Sequence, residues 1–250
     1  MDIEGHLGML KEVRAIFEEE KIKFWLEAGT LLGAIRENRI LPWDTDIDLG
    51  AFKEDFPERS QRRLTNIFDR KGYIIYFYPE KVDIFKDRGR LSVQMHLMRR
   101  LNKKFFTRRM ADNREKAGKR LFQIYRLCNV SYYGGFKIKP TRLNLKTNLF
   151  KIVTLFPKGL KEKMSTKAML KLSKLKDAGI YYFDIPQSYF SKLKKVDFYG
   201  VPFSVPANPD KYLEQQYGEW RTPPKDKSKP WVWHEHGDWK KIYNPKEMVI

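Results

Sequence analysis

The first hundred residues alternate between helical and strand-like spacing of their apolar positions. Leu7, Leu10, Val13 and Phe17 recur at the helical interval, whereas later short runs are apolar throughout or at every second position. We therefore predict helices over 7–21, 30–38 and 55–72 and strands over 22–29, 40–52, 73–79, 81–86 and 91–98. This order predicts an α/β fold of the α+β kind, in which helices flank a mixed sheet.

The middle of the chain interleaves basic and apolar residues. Twelve Lys and Arg residues lie within 137–176, where Glu162 is the only acid. We predict a basic, mostly helical segment over 101–190, and two roles stay open for it. Such helices lie on anionic membrane surfaces, but they also pack an apolar stripe on a sheet while their lysines stay in water. The last part, 191–250, is rich in Pro, Gly and aromatic residues and predicts a hairpin, a short helix and an ordered loop.

Composition narrows these possibilities. With 42% hydrophobic and 14% aromatic residues the chain is globular, and we expect one domain over 1–250 with its catalytic core in 1–100. A net charge of +19 suggests nucleic acid, an anionic membrane or a phosphorylated substrate as partner. Cys128 is the only cysteine, which excludes an intrachain disulfide and a cysteine-based zinc site. No apolar signal-peptide core or membrane-spanning window is present, so we expect a cytoplasmic protein.

An acidic motif interrupts one of the predicted strands. Asp44, Asp46 and Asp48 occupy every second position after a Pro-Trp pair, so Asp46 and Asp48 share one side of a strand, and Asp44 joins them if the strand begins early. Neighbouring carboxylates repel each other and stay ionised at low cost only when a cation lies between them. Because Mg²⁺ binds carboxylates together with substrate phosphates, we predict a metal site at Asp46 and Asp48.

A Gly-Thr pair, Gly29 and Thr30, precedes the helix that leads to this strand. Glycine permits close backbone approach, amides at a helix start bind anions, and threonine adds a hydroxyl donor. A phosphate-binding turn beside a carboxylate-held metal is typical of phosphoryl-transfer sites. The alternative is structural: the acids cap a turn, and Gly29 only begins a helix.

The stretch "FWLEAGTLLGAIRENRILPWDTDIDLG" resembles the signature of LicD-type and fukutin-type phosphotransferases, a branch of the nucleotidyltransferase-fold superfamily. "VPFSVPANPDKYLEQQYGEW" is similar to the family's closing segment, whereas the basic middle has no recognised counterpart. The resemblance implies a nucleotidyltransferase-like fold and transfer of a phospho-alcohol, such as phosphocholine or a phospho-alditol, from a CDP-activated donor to a glycan or lipid-linked glycan hydroxyl. It implies Mg²⁺ or Mn²⁺ as cofactor, and a lipid-linked acceptor would draw the protein to the cytoplasmic membrane face.

One position departs from the family pattern. The family carries a further Asp on a later strand, and "LSVQMHLM" has Gln94 in its place. Glutamine ligates a metal weakly and takes no proton. His96 on the same face, or Asp83 on the preceding strand, would then serve as general base. His96 as a satisfied core histidine and a loss of activity are the alternatives.

The remaining candidates have two interpretations each. Arg36 pairs with a donor phosphate or forms a surface salt bridge, and Trp43 stacks on a base or sugar or is a buried aromatic. His234 and His236 form a His-x-His pair for which no third zinc ligand is evident. Two other functions also stay open: nucleotidyl transfer from an NTP, and a catalytically weak basic module that binds RNA or membrane. Signatures of common RNA-binding modules are lacking, so nucleic acid is not expected as partner.

Overall fold

The computed structural model describes residues 2–44, 46–86, 89–100, 102, 105–113, 116–131, 153, 156–175, 178–223 and 237–241. Its helices are α1 (Ile3–Glu19), α2 (Ala28–Arg36), α3 (Glu58–Arg70), α4 (Lys116–Asn129), α5 (Lys158–Ser173), α6 (Ser188–Ser191) and α7 (Pro209–Tyr217). Its strands are β1 (Phe24–Leu26), β2 (Ile47–Phe52), β3 (Ile74–Phe77), β4 (Lys81–Lys86), β5 (Leu91–Arg100), β6 (Phe105–Asn113), β7 (Ala178–Pro186), β8 (Lys194–Phe198), β9 (Val201–Val205) and β10 (Lys240–Lys241). The predicted α/β architecture, a mixed sheet flanked by helices, is confirmed.

Eight of these strands form one sheet in the order β1-β2-β5-β6-β7-β10, with β4 paired to β5 and β3 paired to β4. The β2–β5 pair is parallel, and the other pairs are antiparallel. The first part of β5 pairs with β4, and its last residues pair with β6. Strands β8 and β9 form a separate hairpin, followed by α7, as predicted for the C-terminal segment.

The strand register gives the middle of the sheet one polar and one apolar face. Asp48 of β2 lies opposite Gln94 of β5, which lies opposite Asp83 of β4, so these three residues share one face. Leu49 and Met95, one position further along their strands, point to the other face and are fully buried. The sheet therefore carries its acids on one side and much of the core on the other.

Helix α1 contributes much of this core. Val13 and Phe17 are fully buried, and the ring of Phe17 lies 5.9 Å from that of Phe68 on α3. The helix begins before the predicted residue because Asp2 caps it, accepting a hydrogen bond from the N–H of Gly5 (3.0 Å).

The basic middle segment contributes two helices and two strands to the described structure. Helices α4 and α5 pack around Tyr125, Met169 and Leu172, so the apolar side of α5 faces protein, as the packed interpretation predicts. Lys163 and Lys167 on the same helix are exposed. Sequence reasoning missed β6 and β7, which extend the sheet. Within the described ranges no helix combines the length and hydropathy that a bilayer crossing requires.

Candidate functional site

The acidic motif enters the sheet later than the sequence predicts. Strand β2 begins at Ile47 rather than at Ile40. Pro42 has no N–H for a strand ladder, and the N–H of Asp44 donates to the carbonyl of Leu41 (3.0 Å), which closes a turn. The predicted strand start is therefore wrong: Asp44 closes a turn, and Asp46 lies just before the strand.

The three aspartates nevertheless lie close enough to influence one another. Burial and the carboxylates of Asp48 and Asp46 raise the pKa of Asp44 to about 7. Burial and Asp48 also raise the pKa of Asp46 to about 6. Oδ2 of Asp44 is buried and has no hydrogen-bond partner within the described ranges. A bound cation would stabilise the ionised forms of these carboxylates.

The Gly-Thr pair lies within the first turn of α2 and not before it. Glu27 is the N-cap, and its carboxylate accepts from the first N–H of the helix (3.0 Å). The hydroxyl of Thr30 serves β2 instead: its Oγ1 accepts a hydrogen bond from the N–H of Asp48 (2.8 Å). A Cβ atom on Gly29 would lie 2.5 Å from Oδ2 of Asp44, so only glycine fits here without displacing the acid. The turn and the acids form one structural unit.

Two side chains of β5 each contact one aspartate. The amide of Gln94 donates to Oδ2 of Asp46, and Nε2 of His96 lies 2.9 Å from Oδ1 of Asp48. Gln94 also stands opposite Asp48 in the parallel ladder, next to the strand that carries the motif. Gln94 thus occupies the place that the sequence predicted for a third acid, and His96 is part of the same cluster.

Asp83, the other predicted base, is held by a cation on each side. Nζ of Lys81 lies 2.9 Å from its Oδ1, and Nη2 of Arg126 lies 2.7 Å from its Oδ2. The residue is only 3% exposed. Both carboxylate oxygens of Asp83 therefore face a cation, whereas His96 contacts an aspartate of the motif. Sequence reasoning missed Lys81 and Arg126, although the Lys-x-Asp spacing on a strand already places Lys81 and Asp83 on one face.

Arg36 and Trp43 flank the acidic turn. Arg36 forms an ion pair with Glu37 (2.8 Å) and donates to the carbonyl of Trp220 (3.1 Å). Its guanidinium carbon lies 6.0 Å from the centre of the Trp43 ring. Trp43 is 52% exposed, so the buried alternative is wrong for this residue. An exposed ring beside the acids leaves the stacking role as a prediction.

A fourth acid, Glu27, lies at the start of the same helix and belongs to the core. It is fully buried, and it accepts hydrogen bonds from Nε1 of Trp25 (2.8 Å), the hydroxyl of Tyr212 (2.9 Å) and the amide of Gln216 (2.6 Å). Two of these donors are on α7, so the C-terminal segment holds the helix that carries the Gly-Thr turn. Sequence reasoning missed this acid, whose only signal is a charged residue inside an apolar run.

Whether a metal ion fits the aspartate cluster depends on the ligand atoms that the cluster offers. Within the described residues, no three histidine, cysteine or acidic side chains form a preformed metal cage. Mg²⁺ does not need one, since it commonly takes one or two carboxylates and completes its shell with phosphate oxygens and water. Asp46 and Asp48 fit this requirement, with the unpartnered oxygen of Asp44 beside them. His234 and His236 lie outside the described residues.

Residues 21–116 match the family described as "LicD/FKTN/FKRP, nucleotidyltransferase domain". Residues 21–116 therefore form a nucleotidyltransferase domain of the LicD/FKTN/FKRP type. The LicD match contains the Gly-Thr turn, the three aspartates and both β5 side chains. It ends where α4 begins, so Arg126 lies beyond it.

Individual relatives show the same likeness. Human "Ribitol 5-phosphate transferase FKRP" is 38% identical over 65 residues, which cover 25% of this chain and 13% of that protein. An uncharacterized protein of Rickettsia prowazekii is 35% identical over 69 residues, 28% of this chain and 25% of its own length. "Lipopolysaccharide cholinephosphotransferase LicD" of Haemophilus influenzae is 22% identical over 246 residues, 90% of this chain and 92% of that protein. The chain therefore aligns with a quarter or less of the first two relatives.

Proposed function

We propose that this LicD-type protein is an enzyme that transfers a phospho-alcohol from a CDP-activated donor to a glycan hydroxyl. The match of residues 21–116 to the LicD/FKTN/FKRP domain supports the proposal, as do two relatives whose names state the transfer of ribitol phosphate and of phosphocholine. The observation that carries it is the aspartate cluster, in which burial and the neighbouring carboxylates raise the pKa values of Asp44 and Asp46. Acids left in this state are costly to the fold, which points to a bound cation and an anionic substrate.

Asp46 and Asp48 would hold Mg²⁺ or Mn²⁺, with Asp44 either in the metal shell or orienting the other two. The bound ion would neutralise the donor diphosphate and the charge on the departing CMP. The first turn of α2, at Gly29 and Thr30, would bind phosphate oxygens through its N–H groups. Thr30 Oγ1 accepts from the N–H of Asp48, and its hydroxyl proton would be donated to a phosphate oxygen.

His96 is the proposed base. When Nε2 donates to Asp48, Nδ1 carries the lone pair that takes the proton of the acceptor hydroxyl. The acceptor oxygen then forms a bond to the phosphorus of the phospho-alcohol, and the bond from that phosphorus to CMP breaks. Trp43 would stack on the base or sugar of the donor, and Arg36 would contact a donor phosphate.

The test is to incubate the purified chain with Mg²⁺ and either CDP-choline, CDP-ribitol or CTP. We expect CMP release from a CDP-alcohol, and we expect its loss in Asp46→Ala and Asp48→Ala variants that keep the wild-type circular dichroism spectrum. Release of pyrophosphate from CTP would instead indicate nucleotidyl transfer, the activity that the domain description also names. Wild-type activity in either folded variant would reject the metal site.

We also propose that the protein contacts the anionic cytoplasmic face of a membrane. Helix α5 supports this, since Lys163, Lys167 and Lys171 are exposed beside exposed Leu160 and Leu170. Flotation with phosphatidylserine-containing liposomes, but not with pure phosphatidylcholine, is the expected result. Equal behaviour with both lipids would reject membrane contact.

A further inference from the structure

Lys81 lies on the polar face of the sheet, one side chain away from the aspartates. Its ammonium donates to Oε1 of Gln94 (2.8 Å), and the amide nitrogen of Gln94 donates to Asp46. An ammonium only donates and a carboxylate only accepts, so these two partners fix the orientation of the amide between them. Lys81 is thereby connected to a predicted metal ligand through a single neutral group.

Two further residues hold Lys81 in this position. Asp83, which is 3% exposed, lies 2.9 Å from its ammonium, and Arg126 binds the other oxygen of Asp83 at 2.7 Å. The guanidinium of Arg126 lies over the ring of Tyr78 at 4.2 Å. The side chain of Lys81 is itself only 16% exposed. A charge that is fixed and partly removed from water acts more strongly on its neighbours than one at the surface.

A fixed positive charge near the three aspartates would reduce the repulsion among their carboxylates. Asp46 and Asp48 lie two residues apart at the start of β2, and Asp44 precedes them on the turn, so three carboxylates are close in the chain. Gln94 adds no charge of its own, but its amide brings the ammonium of Lys81 to the side of the cluster that β5 occupies.

We propose that Lys81 is a resident cation of the carboxylate site, linked to Asp46 through Gln94 and positioned by Asp83 and Arg126. This inference rests on the proposed function. Lys81 offsets part of the repulsion among the aspartates and adds positive charge where CMP departs. Arg126 of α4, beyond the family match, thereby becomes a positioning residue of the site.

Removal of the positive charge of Lys81 should have opposite effects on metal affinity and on turnover. The ammonium repels a divalent ion, so removal of its charge leaves the aspartates with a higher affinity for metal. The same removal withdraws positive charge from the departing CMP, so turnover falls. A residue that only supports the fold would not raise metal affinity while lowering turnover.

The experiment uses the full chain and titrates it with Mn²⁺ in the absence of donor, with free Mn²⁺ followed by electron paramagnetic resonance. Lys81→Gln keeps a hydrogen-bonding group without charge, and we expect it to bind Mn²⁺ about tenfold more tightly, as loss of a unit charge at this range implies. At saturating Mn²⁺ its kcat for CMP release should fall about tenfold.

Two variants serve as matched comparisons. Lys81→Arg keeps the charge, so we expect metal affinity close to that of the wild type. Lys86→Met removes another lysine of β4, whose ammonium lies 3.2 Å from Glu12 and contacts none of the aspartates, so both readouts should stay unchanged.

Mn²⁺ affinity in folded Lys81→Gln within twofold of wild type would overturn the inference while leaving the proposed function intact. If that variant does not fold, Lys81→Met is measured in its place with the same expected shift. Failure of the wild-type chain to bind Mn²⁺ would reject the proposed metal site itself, and this inference with it.

Discussion

Glu27 and Asp44 are two acids near the start of α2 in very different surroundings. Glu27 is fully buried, and its carboxylate accepts hydrogen bonds from Trp25, Tyr212 and Gln216. Asp44 is half-buried, one of its oxygens has no partner among the described residues, and its pKa is raised to about 7. A buried acid surrounded by donors stabilises a fold, whereas an acid without donors opposes folding and indicates a site that waits for a cation.

A glycine lies in space against each of these two acids, Gly50 against Glu27 and Gly29 against Asp44. A Cβ atom on Gly50 would collide with the indole of Trp25 and approach the carboxylate of Glu27, whereas the nearest atoms to one on Gly29 belong to the carboxylate of Asp44. The first contact lies inside the core, and the second lies at a turn. Substitutions at the two acids and at one of these glycines therefore test the comparison.

The largest effect on stability is expected at Glu27. Glu27→Ala leaves the donors of Trp25, Tyr212 and Gln216 buried without an acceptor, so the free energy of unfolding should fall by about 3–5 kcal/mol. Urea denaturation followed by circular dichroism measures this loss. Glu58→Ala is the control, because that acid is exposed and pairs with exposed Arg62, so its loss should change stability by less than about 1 kcal/mol.

Asp48→Asn should, in contrast to Glu27→Ala, reduce activity strongly and stability little. The carboxylate is a predicted metal ligand, so CMP release should fall by about a thousandfold, while the unfolding free energy stays within about 1 kcal/mol of wild type. Steady-state kinetics and urea denaturation of the same preparation separate the two quantities. A large loss of stability with activity per folded molecule retained would place Asp48 with Glu27 as a structural acid.

Gly50→Ala should destabilise the protein by about 1–3 kcal/mol, because the added methyl group overpacks a rigid part of the core. Thermal and urea unfolding measure the change. Gly8→Ala is the matched control: a Cβ atom there meets nothing within 4 Å, and alanine favours the surrounding helix. A loss at Gly8 equal to that at Gly50 would contradict the packing argument.

The smallest effect is expected at Asp44, and it has the reverse sign. Asp44→Asn removes one of three mutually repelling charges, so the metal-free protein should gain about 1 kcal/mol of unfolding free energy. Thermal unfolding without and with Mn²⁺ measures the gain and the accompanying change in stabilisation by metal. A destabilised variant would show that Asp44 is held by favourable contacts, as Glu27 is.

Much of the fold was predictable because apolar spacing reports which faces are buried. The order of helices and strands through β5 follows from that spacing, as do the hairpin and helix near the C-terminus. Strands β6 and β7 were missed because the basic, apolar-interleaved run within 137–176 led to a mostly helical prediction for all of 101–190. The start of β2 was missed because a turn hydrogen bond at Asp44 competes with strand extension.

The sequence by itself determined the local chemistry: three aspartates at alternate positions, a Gly-Thr pair before them and a glutamine where a further acid was expected. Only the tertiary structure decided which of these groups meet. It set Gln94 against Asp46, His96 against Asp48, and Lys81 between Gln94 and Asp83. The physical reason is that alternation fixes the side of a strand on which a residue lies, whereas strand order and register fix its neighbours, and these depend on packing across the whole sheet.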